Sequence, residues 1–347
     1  MNKKPTDALT SREQLDFTDL NDEFAVQDLA GGPTDSEDDV GDPDPNWNEP
    51  DSESSNGESN PPDNFIVENP WHETDRAAPS EFLRSALFSP NRRANKLMIG
   101  QRLATNKSTE LTVWGDSRTQ FDLDIWMACV HLARFGHPVR ATIPQLLKVA
   151  GRSPGGTADV RVRESLELLG CFQVKLTVKA KMRTFGMSKP KPAYTFSGHL
   201  IEHLSWERAA DRWDFANLVL HPNLAELFRP QRRTHVPMRA RSQLGDRPLA
   251  QWMYAFLRSH RTVFPLPVSY YQNLSGAESS SSDFRSRLKK ALTLLAGAGL
   301  IYGASLRKDL LFVQRNKPVV ETAYPDDEWT VRSELAKRTQ TTKGENQ

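Results

Sequence analysis

The sequence predicts an α+β chain of two tandem winged-helix domains preceded by a long disordered acidic N-terminal arm. Three observations carry that expectation. Charge is split along the chain, with 4 Lys/Arg against 21 Asp/Glu over residues 1–80 (net −17) and 37 against 17 over residues 81–317 (net +20), a division that the formal total of +1 conceals. The order helix, turn, helix, basic hairpin occurs twice in the positive part, and the second helix of each repeat pairs an apolar face with a cationic one. The expected boundaries are 1–78 for the arm, 79–235 and 236–317 for the two domains, and 318–347 for a tail.

The arm follows from composition. Residues 28–62 are dominated by Asp, Glu, Ser, Asn, Pro and Gly, a mixture that buries too little apolar surface to offset the entropy of ordering it. One island breaks the pattern, Gln14, Leu15, Phe17 and Leu20. It reads either as a docking peptide that folds on a partner or as chance hydrophobes in a tail. The arm itself either competes with a polyanion for the basic body or serves as a solubilising tail. No apolar run reaches the length of a membrane span and the first seven residues lack the apolar core of a signal peptide, which predicts a cytoplasmic protein without membrane contact. Cys129 and Cys171 stand far apart with no CxxC, as expected of buried small hydrophobes rather than a disulfide or a thiolate zinc site.

In the first domain a helix is expected over 79–88, with Ser80 at its start and apolar residues at helical spacing. Strands follow at 97–103 and 110–114 around the polar turn 106–108. The next helix, 121–134, places Phe121, Ile125, Cys129 and Leu132 on one face. Asp122 and Asp124 fall in its first turn, where carboxylates favour the helix dipole; a metal site is the rarer use of such a pair. A short helix at 143–150 carries Pro144 where proline is tolerated, and the Gly-rich run 151–156 ends it. The helix 157–169 buries Val162, Leu166 and Leu169 and turns Thr157, Val160, Arg161 and Glu164 outward. Strands are expected at 172–178, 193–206 and 213–221, with a basic turn between the first two that holds Lys179, Lys181 and Arg183.

The second domain repeats the order more clearly. A helix over 247–260 puts Leu249, Trp252, Met253, Phe256 and Leu257 on its apolar side, a short helix spans 267–274, and a polar turn spans 275–281. Ser282 or a neighbouring serine caps a helix that buries Phe284, Leu288, Ala291 and Leu295 at spacings of four, three and four. Its other face carries Arg285, Ser286, Arg287, Lys289 and Lys290. Gly297 and Gly299 end it, and strands at 300–302 and 310–313 form a ribbon closed by Arg307, Lys308 and Asp309.

A basic face on one amphipathic helix is most often merely solvated. Two in tandem, each echoed in the following hairpin, point instead to nucleic acid, because Lys and Arg release counterions from phosphate backbones. In a winged helix the second helix enters the major groove and the hairpin reaches the flanking backbone. Thr157 and Arg161 in the first domain, and Ser286, Arg287, Lys289 and Lys290 in the second, are the expected base readers. Arg285, Lys179, Lys181, Arg183, Arg307 and Lys308 are expected on phosphate, and Arg163 and Ser282 complete the DNA-binding set.

Four segments carry a resemblance: Ser85-Ala86-Leu87-Phe88 followed by Asn91-Arg92-Arg93; residues 122–133; residues 252–265 with Ser259-His260-Arg261; and Ala298-Gly299-Leu300 through Asp309-Leu310-Leu311. In order and spacing they resemble the TrfA-type plasmid replication initiators over about residues 79–316. The resemblance implies a two-winged-helix initiator that binds direct repeats, called iterons, in the double-stranded DNA of a plasmid origin. It implies binding as a monomer in equilibrium with dimers tied to plasmid copy control, opening of an AT-rich region, and recruitment of the host DnaB helicase with DnaA. The second domain would then be the main DNA reader and the first the dimerisation unit. The resemblance also implies a sliding-clamp peptide upstream of the body. Gln14, Leu15, Phe17 and Leu20 are similar to it, but Phe17 falls one place early and the island lies far upstream of Ser85.

Other chemistries lack their residues. A nicking initiator needs two histidines flanking one apolar residue to hold a metal, plus a tyrosine nucleophile, and no His-x-His occurs. His199 and His203 fall in a strand pattern without the glutamate of HExxH. Residues 151–156 lack the lysine and hydroxyl of a GxxxxGK(S/T) phosphate loop. No enzymatic activity, cofactor or metal is expected. The sequence is therefore read as a plasmid replication initiator, with a tandem winged-helix transcriptional repressor as the alternative and a nicking initiator as a more distant one.

Overall fold

The computed structural model describes residues 64–92, 96–106, 108–179, 192–208, 214–316, 329–331 and 335. The acidic arm with Gln14, Leu15, Phe17 and Leu20, the basic turn with Lys181 and Arg183, and most of the tail lie outside the described residues. All described residues belong to one contact unit, Asn60–Gln347, a mixed assembly of helices and small open sheets.

Phe65, Val67 and Trp71 are already buried in the core, so folded structure begins upstream of Pro79, where it was expected. Strand β1 (Asp75–Pro79) leads into α1 (Ser80–Leu83), which is only one turn long. The helix expected over 79–88 stops there because Ser85 Oγ donates to the Phe82 carbonyl and accepts from the Leu87 amide, local bonds that compete with helix propagation. Strands β2 (Phe88–Ser89), β3 (Leu97–Leu103), β4 (Thr109–Asp116) and β5 (Arg118–Thr119) follow, with β2 and β5 parallel.

Helix α2 (Gln120–Ala133) opens on a reciprocal cap: the Asp122 amide donates to Thr119 Oγ1, and the Thr119 amide donates to the Asp122 carboxylate at 2.7 Å. Every residue from Gln120 to His131 is buried. The single apolar face expected for this helix is thus a helix buried all round, because β1 and the helices Ile143–Val149, Ala158–Cys171 and Pro248–Arg258 pack about it. Trp126 anchors it among Phe82, Phe88 and Phe228 at centroid separations of 5.6, 6.0 and 5.9 Å.

Next come β6 (Val139–Thr142), α3 (Ile143–Val149), α4 (Ala158–Cys171) and strands β7 (Gln173–Lys179), β8 (Pro192–His199), β9 (His203–Arg208) and β10 (Asp214–Val219). Cys129 is buried, which pushes its thiol up to about 12, whereas Cys171 at the end of α4 is exposed, contrary to expectation. The strand expected over 193–206 is two strands. Between them Leu200 and Ile201 turn into the core, and Trp126 Nε1 donates to the Leu200 carbonyl at 3.3 Å. The break sends β8 into the sheet β3-β4-β7-β8 and β9 into the sheet β6-β10-β9. The β7–β8 hairpin is therefore built into a larger sheet rather than standing as a free ribbon, and β6 pairs with β10 instead of with that hairpin.

A 3-10 turn (Pro222–Phe228) and β11 (Arg233–Pro237), antiparallel to β1, lead to α5 (Met238–Ser242) and α6 (Pro248–Arg258). Then follow β12 (Leu266–Pro267), α7 (Val268–Ser275), α8 (Ser281–Gly297), β13 (Gly303–Arg307), β14 (Leu310–Gln314) and β15 (Trp329–Thr330). Here the short strand after the first helix does close onto the hairpin, in a sheet of order β12-β14-β13-β15. The ribbon starts at Gly303 rather than at Leu300, because Leu300 and Ile301 pack into the core. Its two-residue turn, Lys308 and Asp309, has φ of 43° and 69°, the left-handed backbone that matches the twist of flanking strands. Trp329 and Val331 are buried, so part of the expected tail belongs to this sheet.

Candidate nucleic-acid interface

Ser280, a serine neighbouring Ser282, caps α8, its Oγ accepting from the Asp283 amide at 3.2 Å. Burial of Phe284, Leu288, Ala291, Leu292 and Leu295 then fixes the rotation of the helix about its axis. At four-residue spacing Ser282, Ser286 and Lys290 form one outward, exposed row. The cations on either side of that row are engaged within the protein. Arg285 donates to Asp309 in the hairpin turn at 2.5 Å, and Arg287 lies 3.8 Å from Asp283. Lys289 Nζ stands 5.8 Å over the Trp329 ring and the Arg307 guanidinium 4.4 Å over Phe312, while Lys308 is exposed at the hairpin tip.

On α4, Val162, Leu166 and Leu169 are buried and Thr157, Val160, Arg161 and Glu164 are exposed. The Arg161 guanidinium lies 4.2 Å over Phe121, and that of Arg163 lies 4.4 Å over Trp206. Lys179 is matched by Glu110 at 2.7 Å, with Arg102 on the same carboxylate at 3.0 Å. The hydrogen bond from Lys179 is the main cause that holds the Glu110 carboxyl below its usual range.

Sequence reasoning missed the polar cluster that links α2, α5 and α6. Asp124 accepts from Arg152 Nε and Nη2 at 3.0 and 2.7 Å and also from Arg241 Nε. Arg241 donates further to Gln120 Oε1 at 2.9 Å and to the Gln251 carbonyl of α6 at 3.0 Å. Asp122 is likewise committed, to Thr119 and to Ser165 Oγ at 2.6 Å. Both carboxylates therefore have structural partners. Among the described residues no His/Cys/Asp/Glu group is arranged to hold a metal, and His199 and His203 end and begin neighbouring strands. No helix among the described residues is long and apolar enough to cross a membrane.

The chain is 22% identical over 254 residues to the plasmid replication initiator protein TrfA of Escherichia coli, an alignment that covers 71% of this chain and 63% of that protein. The likeness is to a replication initiator. The chain thus matches just under two thirds of the length of this relative. Two crystal structures of domains 2 and 3 of RctB superpose with TM-scores of 0.44 and 0.42 at 15% and 13% identity. They cover 63% and 62% of this chain and 86% and 83% of theirs. No family model matches.

Proposed function

We propose that the protein is a plasmid-type DNA replication initiator, a non-enzymatic reader of duplex DNA built on two winged helices. The observation that carries this reading is the exposed row Ser282, Ser286 and Lys290 on a helix whose rotation is fixed by its buried side, next to the hairpin cations Arg307 and Lys308. The distant likeness to TrfA supplies the biological setting. In this reading α8 enters the major groove at direct repeats of the origin, the hairpin tip lies on the backbone, and α4 with Thr157 meets the adjacent duplex. Opening of an AT-rich region, recruitment of DnaB with DnaA, a monomer–dimer equilibrium and a cytoplasmic site of action belong to the same proposal. So does a sliding-clamp contact through Gln14, Leu15, Phe17 and Leu20. Clamp pull-down unchanged by Leu15→Ala with Phe17→Ala removes that last element.

Lys290→Ala is expected to weaken binding to origin repeats by about 1–3 kcal/mol while random duplex is bound as before. Equal losses on both duplexes reassign Lys290 to the backbone. The function as a whole is tested by a plasmid that carries the candidate origin and depends on this protein supplied in trans. Replication is the expected result; promoter shut-off without replication favours a repressor.

A further inference from the structure

A groove runs between α2, α4, α5 and α6. One part, of about 340 Å³, lies beside Thr157, Asp124 and Arg241, and another, of about 280 Å³, lies beside Asn91, Arg92 and Pro248. Phe121, Arg152, Arg161, Asp246 and Gln251 line both. Where the parts meet, the Phe121 ring carries two guanidinium groups, Arg152 at 4.7 Å and Arg161 at 4.2 Å.

The two arginines differ in what they can still bind. Arg152 is hydrogen-bonded through Nε and Nη2 to Asp124, which holds it as a wall of the groove. Arg161 is exposed, and its guanidinium packs over the Phe121 ring. Stacking on a ring holds the guanidinium plane and leaves its N–H edge for oxygen ligands in fork geometry, the arrangement suited to phosphate. Arg92 adds a second exposed cation from the other part of the groove, which Asp246 also lines.

The geometry points to a phosphate site: the groove seats a backbone phosphodiester of duplex DNA beside the reading helix α4, with Arg161 and Arg92 as its ligands. This rests on the duplex-binding reading above and moves Arg161 from base reader to backbone contact. The groove opens beside Thr157 at the start of α4 and is walled by the start of α6.

The test uses the full chain, an origin-repeat duplex and a random duplex, each titrated over a KCl series. Arg161→Gln and Arg92→Gln should each lower affinity about three- to tenfold on both duplexes, and each should reduce the slope of log K against log salt by about one. Arg140→Gln, whose guanidinium Glu207 already holds through two bonds of 3.1 Å, should leave the slope unchanged. Unchanged slopes for both groove variants overturn the site. Loss confined to the origin duplex also overturns it, by making Arg161 a base reader. Saturable binding of pyrophosphate that Arg161→Gln abolishes, with DNA slopes unchanged, assigns the groove to a free phosphate compound and overturns the DNA seat. A wild-type protein without preference for origin repeats defeats the initiator reading alone, because the random-duplex slopes still decide the groove.

Discussion

Replacing Asp124 with alanine is expected to lower the free energy of unfolding by about 3–5 kcal/mol, the cost of stranding a buried cation. The Asp124 side chain is 3% exposed and that of Arg241 1% exposed. Arg241 cannot shed its proton, so without the carboxylate its charge stays buried with only neutral acceptors, Gln120 and the Gln251 carbonyl. Arg152, at 19% side-chain exposure, can turn toward water and adds less to the penalty. Urea unfolding of Asp124→Ala and of Asp124→Ala with Arg241→Met checks the reasoning. The second substitution replaces the stranded cation by an apolar side chain and should recover most of the loss. A single-variant loss below about 1 kcal/mol would show that the cluster is solvated in the folded protein.

Acidification is expected to destabilise the fold between pH 6.5 and 4, with His131 and His260 as the two largest contributors. His131 Nδ1 accepts from Trp71 Nε1 at 3.1 Å and stands 3.3 Å from Arg76 Nη1, and its Nε2 faces Glu73 at 3.4 Å. This arrangement requires the neutral ring with its proton on Nε2. Burial first, and then the charges of Arg76 and Arg134, push its pKa down to about 4. The unfolded chain then binds a proton near pH 6.5 that the folded chain refuses until about pH 4. Stability is therefore full above pH 6.5, falls as pH drops through that window, and is level again below it, a loss of about 3 kcal/mol. His260, lowered to about 4 by burial with its Nδ1 2.8 Å from the Phe256 carbonyl, acts in the same direction. Glu81 acts against them, since burial raises its carboxyl and favours the protonated folded form. Urea midpoints of wild type and His131→Gln between pH 4 and 7.5 should converge at the acid end. Parallel profiles would remove His131 as a contributor.

What the sequence disclosed depended on how local the determining physics is. Helix α8 could be read almost residue by residue, because the spacing of Phe284, Leu288, Ala291 and Leu295 reports one buried face and the complement reports the exposed one. The same logic misjudged α2, where residues as polar as Gln120, Asp122 and Asp124 are buried by elements from four parts of the chain. The 79–88 segment failed for a local reason, the Ser85 hydroxyl bonds, and the 193–206 strand for a distant one, the pull of the core on Leu200 and Ile201. The site divides in the same way. The row Ser282, Ser286 and Lys290 follows from helix period, but the engagement of Lys289 by Trp329, Arg285 by Asp309 and Arg161 by Phe121 is tertiary. Asp124 and Arg241 lie 117 positions apart, and no periodicity links them.

The most direct measurement is protection mapping of the purified full chain on a candidate origin that carries direct repeats, with wild type and Lys290→Ala in parallel. Protection is expected over successive direct repeats for wild type, with strongly reduced protection for Lys290→Ala at the same protein concentration. Uniform, sequence-indifferent protection by both proteins would contradict a specific reader on α8 and, with it, the initiator function.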